Sequence, residues 1–261
     1  MKPKKKIRLI IFDISGTIID HGSLATIYAF KSALSKYGIK ITNDIIKIDM
    51  GIRKIDHLKK ILKHNIINSQ WKVKFNKNPT KRDIDTIIKI FDKKLKIEVL
   101  RRTSYIQGFT KLVNFLRVKN IKIGLTTGYP KNILNLILKK MRLKGFRPDY
   151  SVSSSEVKRG RPHPDMTLKV MKKLNISTPS EVIKVDDSLS GIQEGKKAKV
   201  HTVGILLSGI NLAMSKLQRK KLKPSSLKKL RKININLFKK VKTDFLIDDI
   251  SELKNLINYK I

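Results

Sequence analysis

The sequence predicts an α/β fold built on a parallel, doubly wound sheet, and three observations carry that expectation. Short apolar runs recur and end in polar turns, helical patterns separate them, and one long helical stretch interrupts the alternation early in the chain. The first run, "IRLIIF" at 7–12, has the character of a strand buried on both faces and gives way at once to "DISGTIID". "IKIGL" (121–125) leads into Thr126, Thr127 and Gly128, and "VIKV" (182–185) leads into Asp186, Asp187 and Ser188. "TVGIL" (202–206) reads as a fourth strand. Helical patterns at 108–120, 130–145 and 164–175 lie between them, so the order is β-α-β-α-β. In such sheets ligands sit beyond the carboxyl ends of the strands, which is where these polar residues gather.

From about Ser23 to Val99 the rhythm breaks into helical segments without a convincing strand. The last of them opens on Thr80 and Asp83, a capping box with Asp in place of the usual Glu or Gln. This divides the chain into an α/β core, 1–22 with 100–261, and a helical insertion, 23–99. Within the insertion, "MGIRKIDH" (50–57) sets Met50, Lys54 and His57 within roughly 60° of one another if helical, so that a thioether, an amine and an imidazole share one stripe.

A chain of 261 residues with 40% apolar content can bury a substantial core. The net charge of +39 raises nucleic acid as a partner. The basic residues are spread throughout, however, densest from Lys216 to Lys242 and again in "KPKKK" at the start, and Ile and Asn are abundant with Lys, which points to a drift of composition. No zinc-finger spacing or aromatic ribonucleoprotein signature accompanies them, so no specific nucleic acid is expected. The absence of cysteine excludes disulfides, thiolate metal sites and cysteine nucleophiles, and fits a reducing cytoplasm. No apolar run approaches the ~20 residues that span a bilayer, and "IRLIIF" is too short for a signal peptide, so no membrane is expected.

"FDISGT", "TTG" and "VDDSLSGI" resemble the first, second and fourth motifs of the haloacid dehalogenase superfamily. Ser15 stands where its phosphatases carry a second Asp that protonates the leaving alkoxide. The branch with a small residue there, more often Ala, is the phosphonoacetaldehyde hydrolase family, and its cap motif "MGxxKxDH" is matched by 50–57 at every specified position. "HGSLAT", "NPTKRDI", "TTGY", "GRPHP", "HTVGILLSG" and "TDFLIDDISEL" extend the resemblance over nearly the whole chain.

The resemblance implies a Rossmann-like core with an inserted helical cap, Mg²⁺ as cofactor, phosphonoacetaldehyde as substrate and a homodimer formed through the caps. It implies Asp13 as nucleophile on phosphorus, Lys54 as the Schiff-base lysine and His57 as proton shuttle. Asp13, Asp187 and the Ser15 carbonyl would hold the metal, with Asp186 a direct or outer ligand. Thr127 and Gly128, placed at a helix start, would offer donors to the phosphoryl group, and Arg161 the balancing cation. Tyr129 and Met50 belong to the family's pocket, and Ser23 to its entrance. The chemistry is consistent with these residue types: a P–C bond does not readily release a free carbanion, whereas an iminium on the adjacent carbon accepts the electron pair. The lysine must attack as a neutral amine, so burial or neighbouring positive charge must lower its pKa. Two other readings remain open at this level: a related phosphatase acting on phosphate esters, and a basic polyanion-binding protein that keeps the fold without catalysis.

Overall fold

The computed structural model describes residues 6–259, so the basic opening segment lies, apart from Lys6, outside them. Six parallel strands form one sheet: β1 (Leu9–Phe12), β2 (Lys122–Thr127), β3 (Tyr150–Ser153), β4 (Val182–Asp186), β5 (His201–Ile205) and β6 (Phe245–Ile247), in the order β3-β2-β1-β4-β5-β6. The chain winds outward from β1 to one edge and then, from β4, to the other, which makes the sheet doubly wound. All four residues of β1 are fully buried because helices cover both faces, and this is why the strand shows no polar alternation.

Four strands were expected and six are present among the described residues. Tyr150–Ser153 and Phe245–Ile247 are too short and too polar in context to stand out as apolar runs; each is held by pairing to a neighbour already in place. One face carries α6 (Phe109–Val118), α7 (Lys131–Leu143) and α12 (Leu253–Tyr259), the other α8 (Asp165–Lys173) and α9 (Leu189–Lys197). The short α10 (Lys216–Lys220) and the long, basic α11 (Pro224–Lys240) cover the β5–β6 end, with Phe238 of α11 buried against Gly204.

Between β1 and α6 lie five helices: α1 (Leu24–Ser35), α2 (Asn43–Lys47), α3 (Lys54–Lys63), α4 (Asn65–Phe75) and α5 (Lys81–Arg101). α1 and α5 pack along their length, Phe30 on Phe91 with ring centroids 4.2 Å apart. α5 runs two residues past the expected boundary because its buried stripe Ile87, Phe91, Leu95, Val99 continues at helical spacing to the last turn. Its start is the capping box read from Thr80 and Asp83. Among the described residues no helix is long and apolar enough to cross a membrane.

Candidate active site

Strand register builds the centre of the site. Phe12 pairs with Leu125 on one side and Val185 on the other, so the next residues, Asp13, Thr126 and Asp186, lie side by side at the carboxyl end of the sheet. Positions two apart share a face, so Lys184 points to the same side as Asp186. Into this face reaches Arg161, from the loop before α8. Its Nη1 lies 2.8 Å from Asp13 Oδ1, its Nε 2.8 Å from Glu194 Oε2 and its Nη2 3.2 Å from Asp186 Oδ2 and 3.0 Å from Thr126 Oγ1. Lys184 Nζ donates to Thr126 Oγ1 at 2.6 Å and pairs with Asp186 Oδ2 at 3.0 Å. Thr167 donates through its amide and hydroxyl to Glu194 Oε1. Every one of these charges is buried, where ion pairs persist only if mutually satisfied.

Asp187 turns the other way, into a cradle of backbone. It accepts from Thr17 Oγ1 at 2.9 Å and from the Ile210 amide at 2.9 Å, and Ser23 Oγ lies 3.3 Å away. Gly16 and Gly209, both at positive φ, leave room for it: a Cβ at either would come within 2.4 Å of Asp187 Oδ2. Asp13, Asp186 and Asp187 offer ligand atoms within 4.8 Å of one another. Burial, then the charge of Asp186, pushes Asp13 up to about 6 against the pull of Arg161 and Lys184. Burial, with Asp13 and Asp186 nearby, holds Asp187 well above the usual carboxylate range. Burial pushes Asp186 up too, but Arg161 and Lys184 outweigh it and its pKa is lowered.

This donor set fits a hard divalent cation such as Mg²⁺, for which carboxylate and carbonyl oxygens are suited. Asp13 Oδ2 takes no protein hydrogen bond among the described residues, and Asp187 Oδ1 takes one. Among the described residues the Ser15 carbonyl accepts only the Ser23 hydroxyl, at 2.9 Å, so each of these oxygens keeps acceptor capacity.

Lys54 closes the site from above. It is 5% exposed, sits at the first position of α3, and has no carboxylate within 4 Å among the described residues. Its Nζ lies 3.9 Å from Met50 Sδ and 5.4 Å from the centroid of the Tyr129 ring. Burial brings its pKa down to about 8, with Asp13 opposing and Arg161 assisting. The positive end of the α3 dipole acts in the same direction as burial. His57, one turn on, is fully buried; its Nε2 donates to the Ile46 carbonyl at 2.9 Å, leaving Nδ1 without a partner. Burial and the Lys54 charge hold it well below the usual histidine range, so the ring is neutral.

The insertion docks on the core through backbone. A Cβ on Gly128 would lie 2.4 Å from the Gly51 carbonyl, and one on Gly51 would meet the hydroxyls of Ser188 and Ser190. Ser190 donates to the Met50 carbonyl at 3.0 Å, and Arg53 donates to the carbonyls of Ser154 and Val157. The cavity is about 30 Å³, lined by Asp13, Lys54, Thr127, Tyr129, Arg161 and Asp187 among others. That holds little more than a water, less than a substrate molecule needs. Gly128→Ala, which pushes the Gly51–Ile52 turn off the core, is expected to lower kcat/KM by about a hundredfold with an unchanged circular dichroism spectrum, as misplacement by an ångström does.

Of the residues singled out in the sequence, Asp13, Ser15, Ser23, Met50, Lys54, Thr127, Gly128, Tyr129, Arg161 and Asp187 line this one cavity. His57 and Asp186 do not line it; each lies behind a residue that does, His57 behind Lys54 and Asp186 behind Arg161. Three details differ from expectation. Met50 belongs to the turn before α3, and reaches Lys54 because the chain folds back there, not by helical spacing. Thr127 ends β2 and Gly128 lies in a loop, since α7 begins only at Lys131 after Pro130. The Ser23 hydroxyl faces Ser15 and Asp187 as well as the cavity, at a left-handed backbone position (φ 53°).

Lys184, Glu194 and Asp20 were missed. Asp20 is buried, accepts the amides of Leu24 and Ala25 at the start of α1, and receives the Ser15 hydroxyl at 3.1 Å. Lys184 was legible as a lone charge inside the apolar "VIKV"; Glu194 has no such signal, being one more polar residue on a helix.

The haloacid dehalogenase-like hydrolase family model matches residues 10–205. Over 254 residues, 97% of this chain and 96% of the relative, the sequence is 31% identical to a phosphonoacetaldehyde hydrolase of Bacillus mycoides. It is 32% identical over the same coverage to one of Bacillus cereus. Among solved structures, a phosphonoacetaldehyde hydrolase-like protein from Oleispira antarctica superposes with a TM-score of 0.95 at 29% identity, over 98% of this chain and 92% of that one. A hydrolase from Pseudomonas syringae, 17% identical, matches with a TM-score of 0.69 over 97% of this chain and 99% of that one, a likeness of fold alone.

Proposed function

The chain belongs to the haloacid dehalogenase-like hydrolases, in the phosphonoacetaldehyde hydrolase family, and from that premise we propose that it hydrolyses the P–C bond of phosphonoacetaldehyde to acetaldehyde and phosphate. The observation that carries this reading is Lys54: a buried amine with no carboxylate partner among the described residues, its pKa near 8, in one cavity with Asp13 and Arg161. At that pKa roughly a tenth of the amine is neutral at pH 7, against about one part in a few thousand for an unperturbed lysine.

The neutral Lys54 amine condenses with the aldehyde, water leaves, and the imine takes up one proton to give an iminium. Asp13 attacks phosphorus, the P–C electron pair moves into the iminium, and an enamine and an aspartyl-phosphate result. Protonation and hydrolysis of the enamine release acetaldehyde and restore Lys54; water hydrolyses the aspartyl-phosphate. Arg161, fixed on Glu194, holds Asp13 through Oδ1 and so orients its carboxylate for the attack. His57, neutral and with Nδ1 unpartnered, is assigned the exchange of protons with Lys54. Thr127 and Gly128 border the phosphoryl position, and Met50 and Tyr129 keep water and carboxylates from the amine. Mg²⁺ held by Asp13, Asp187 and the Ser15 carbonyl would neutralise the phosphoryl charge and the repulsion among the carboxylates. The five-helix insertion acts as the cap, and we read the chain as a homodimer joined through caps whose Ile48 and Ile66 stand exposed.

The test is acetaldehyde release from phosphonoacetaldehyde with Mg²⁺, paired with borohydride reduction and peptide mapping. An adduct on the peptide carrying Lys54 supports the reading. Phosphate release from an aryl ester that proceeds equally well in Lys54→Ala, with no acetaldehyde from the phosphonate, would replace it with a phosphatase. Because the amine must be neutral, kcat/KM is expected to rise roughly tenfold per unit as pH approaches about 8 and to level above it. A profile flat from pH 6 to 9 would contradict an amine titrating there.

A further inference from the structure

Where the insertion joins the core lies a further cavity of about 320 Å³, in the lower part of the range that small-molecule pockets span. It shares no lining residue with the active-site cavity. Its walls come from the two crossings of the chain, at 20–24 and 101–107, and from α10 with Ser215 before it. Asp20 stands between the two cavities: it lines this one and receives the hydroxyl of Ser15, which lines the other. Leu24, Ile106 and the ring of Tyr105 supply apolar wall, the Tyr105 hydroxyl being spent on the Met141 carbonyl at 3.3 Å.

Five cations line this cavity, Arg101 and Arg102 at the end of α5 and Lys216, Arg219 and Lys220 on α10, against two carboxylates, Asp20 and Asp249. Both carboxylates already accept backbone amides, Asp20 those of Leu24 and Ala25 and Asp249 that of Ser251. Arg101 and Arg102 pair with Glu98, whereas Lys216, Arg219 and Lys220 have no carboxylate within 4 Å among the described residues. A surplus of cations is ordinary in a chain of net charge +39; a fixed arginine with unused donors is not. Burial lowers the His21 pKa below its ordinary value, so the ring is neutral at pH 7 and its Nδ1 donates to the Met214 carbonyl at 3.2 Å. Its Nε2 then accepts from Arg219 Nη1 at 3.3 Å, and the same Nη1 donates to the Leu207 carbonyl at 2.7 Å. Arg219 is thereby held through one nitrogen, and its Nε and Nη2 make no hydrogen bond among the described residues. Those two nitrogens form an edge that can grip a phosphate or carboxylate through two parallel bonds.

We propose that this cavity is a second ligand site, separate from the reaction, that takes a small organic phosphate: its head on Arg219, Lys216 and Lys220, its body against Leu24, Tyr105 and Ile106. Three cations without a carboxylate favour a dianionic head over a single carboxylate, and the apolar wall favours a ligand with a body over a bare ion. Because Arg101 and Arg102 end the insertion while α10 belongs to the core, an anion among them offsets the repulsion between the two sides. Binding therefore stabilises the folded chain. None of this rests on the proposed function.

The probe is phenylphosphonate at pH 8, a largely dianionic head on an apolar body, with no carbonyl beside its P–C bond and so no imine to form. Titration calorimetry and thermal melting, without Mg²⁺ or substrate, compare wild type with Arg219→Gln and with Lys216→Gln combined with Lys220→Gln. The last two residues are exposed, so that double variant keeps its fold. Lys239→Gln with Lys240→Gln removes the same charge from exposed positions of α11 outside the cavity, and Lys54→Met alters the active site. Wild type is expected to bind with a Kd of about 1 mM or tighter and to melt higher with the probe present. Both cavity variants should bind at least about tenfold more weakly and lose that protection, while the α11 pair and Lys54→Met match wild type. Benzoate and inorganic phosphate should bind wild type at least about tenfold more weakly than the probe. Affinity unchanged in both cavity variants, or reduced as much in the α11 pair, would overturn the proposal, the second by showing diffuse attraction only. Binding lost in Lys54→Met alone would place the probe in the active site and overturn it too. Benzoate or inorganic phosphate binding as tightly as the probe would overturn the assignment to an organic phosphate.

Discussion

Lys54→Arg is expected to abolish acetaldehyde release, by about 10⁴-fold or more, the scale on which removal of a covalent nucleophile is felt. The substitution keeps a cation at the head of α3, so any role of Lys54 as a point charge survives, whereas a guanidinium cannot form the imine and cannot shed its proton at a working pH. The structure makes the contrast sharp because nothing else holds the amine: its neighbours are a thioether at 3.9 Å and an aromatic ring at 5.4 Å. The same isolation makes Lys54 a burden on stability. A folded pKa near 8, lowered from 10.5, means that below pH 8 the buried ammonium carries its full penalty, which fades as pH rises through 8 toward 10.5. Lys54→Met should therefore be inactive and, at pH 7, more stable than wild type by about 1–3 kcal/mol. Both are read from turnover and denaturant unfolding of the same preparations; turnover by Lys54→Arg above about a hundredth of wild type would be incompatible with an imine at this residue.

Arg161→Ala should have the largest effect on the fold. Its guanidinium is the common partner of Asp13, Asp186 and Glu194, at 2.8, 3.2 and 2.8 Å, and removing it leaves three buried carboxyl groups facing one cation, Lys184. Breaking a buried pair in this way costs about 3–5 kcal/mol, roughly 8–15 °C in melting temperature for a chain of this size. Activity should fall by at least about a hundredfold beyond any loss of folded protein, since Asp13 loses the group that fixes it and the phosphoryl charge loses a donor. Arg161→Lys keeps one charge but cannot make three contacts at once, and should lie between the two. A melting temperature within about 2 °C of wild type in Arg161→Ala would show that the network does not carry the stability assigned to it.

Much of this site was legible before the structure because catalytic chemistry is concentrated at strand ends. Asp13 follows its apolar run directly, and Thr127 and Asp187 stand second after theirs, and a run that stops on a polar turn marks the carboxyl edge of a parallel sheet. Lys54 was legible only through its motif, since nothing in a chain this rich in lysine distinguishes one amine from another by composition. What could not be read was the second tier. Glu194 and Asp20 join the site through a partner far away in sequence or through a local amide, and Thr126 became distinct from Thr127 only when its hydroxyl was found between Arg161 and Lys184. Met50 illustrates the converse: its proximity to Lys54 was foreseen, but for the wrong geometric reason.

By itself the sequence determined the doubly wound sheet and the helical insertion after the first strand, which follow from local periodicity, and named most cavity-lining side chains through motifs that resemble those of a known family. Only the tertiary structure decided which charges pair and that, among the described residues, Lys54 stands without a carboxylate. Those depend on register, on the docking of the insertion at Gly128 and on which groups are removed from water together. Such terms are properties of distance and burial, and the order of residues along a chain does not carry them.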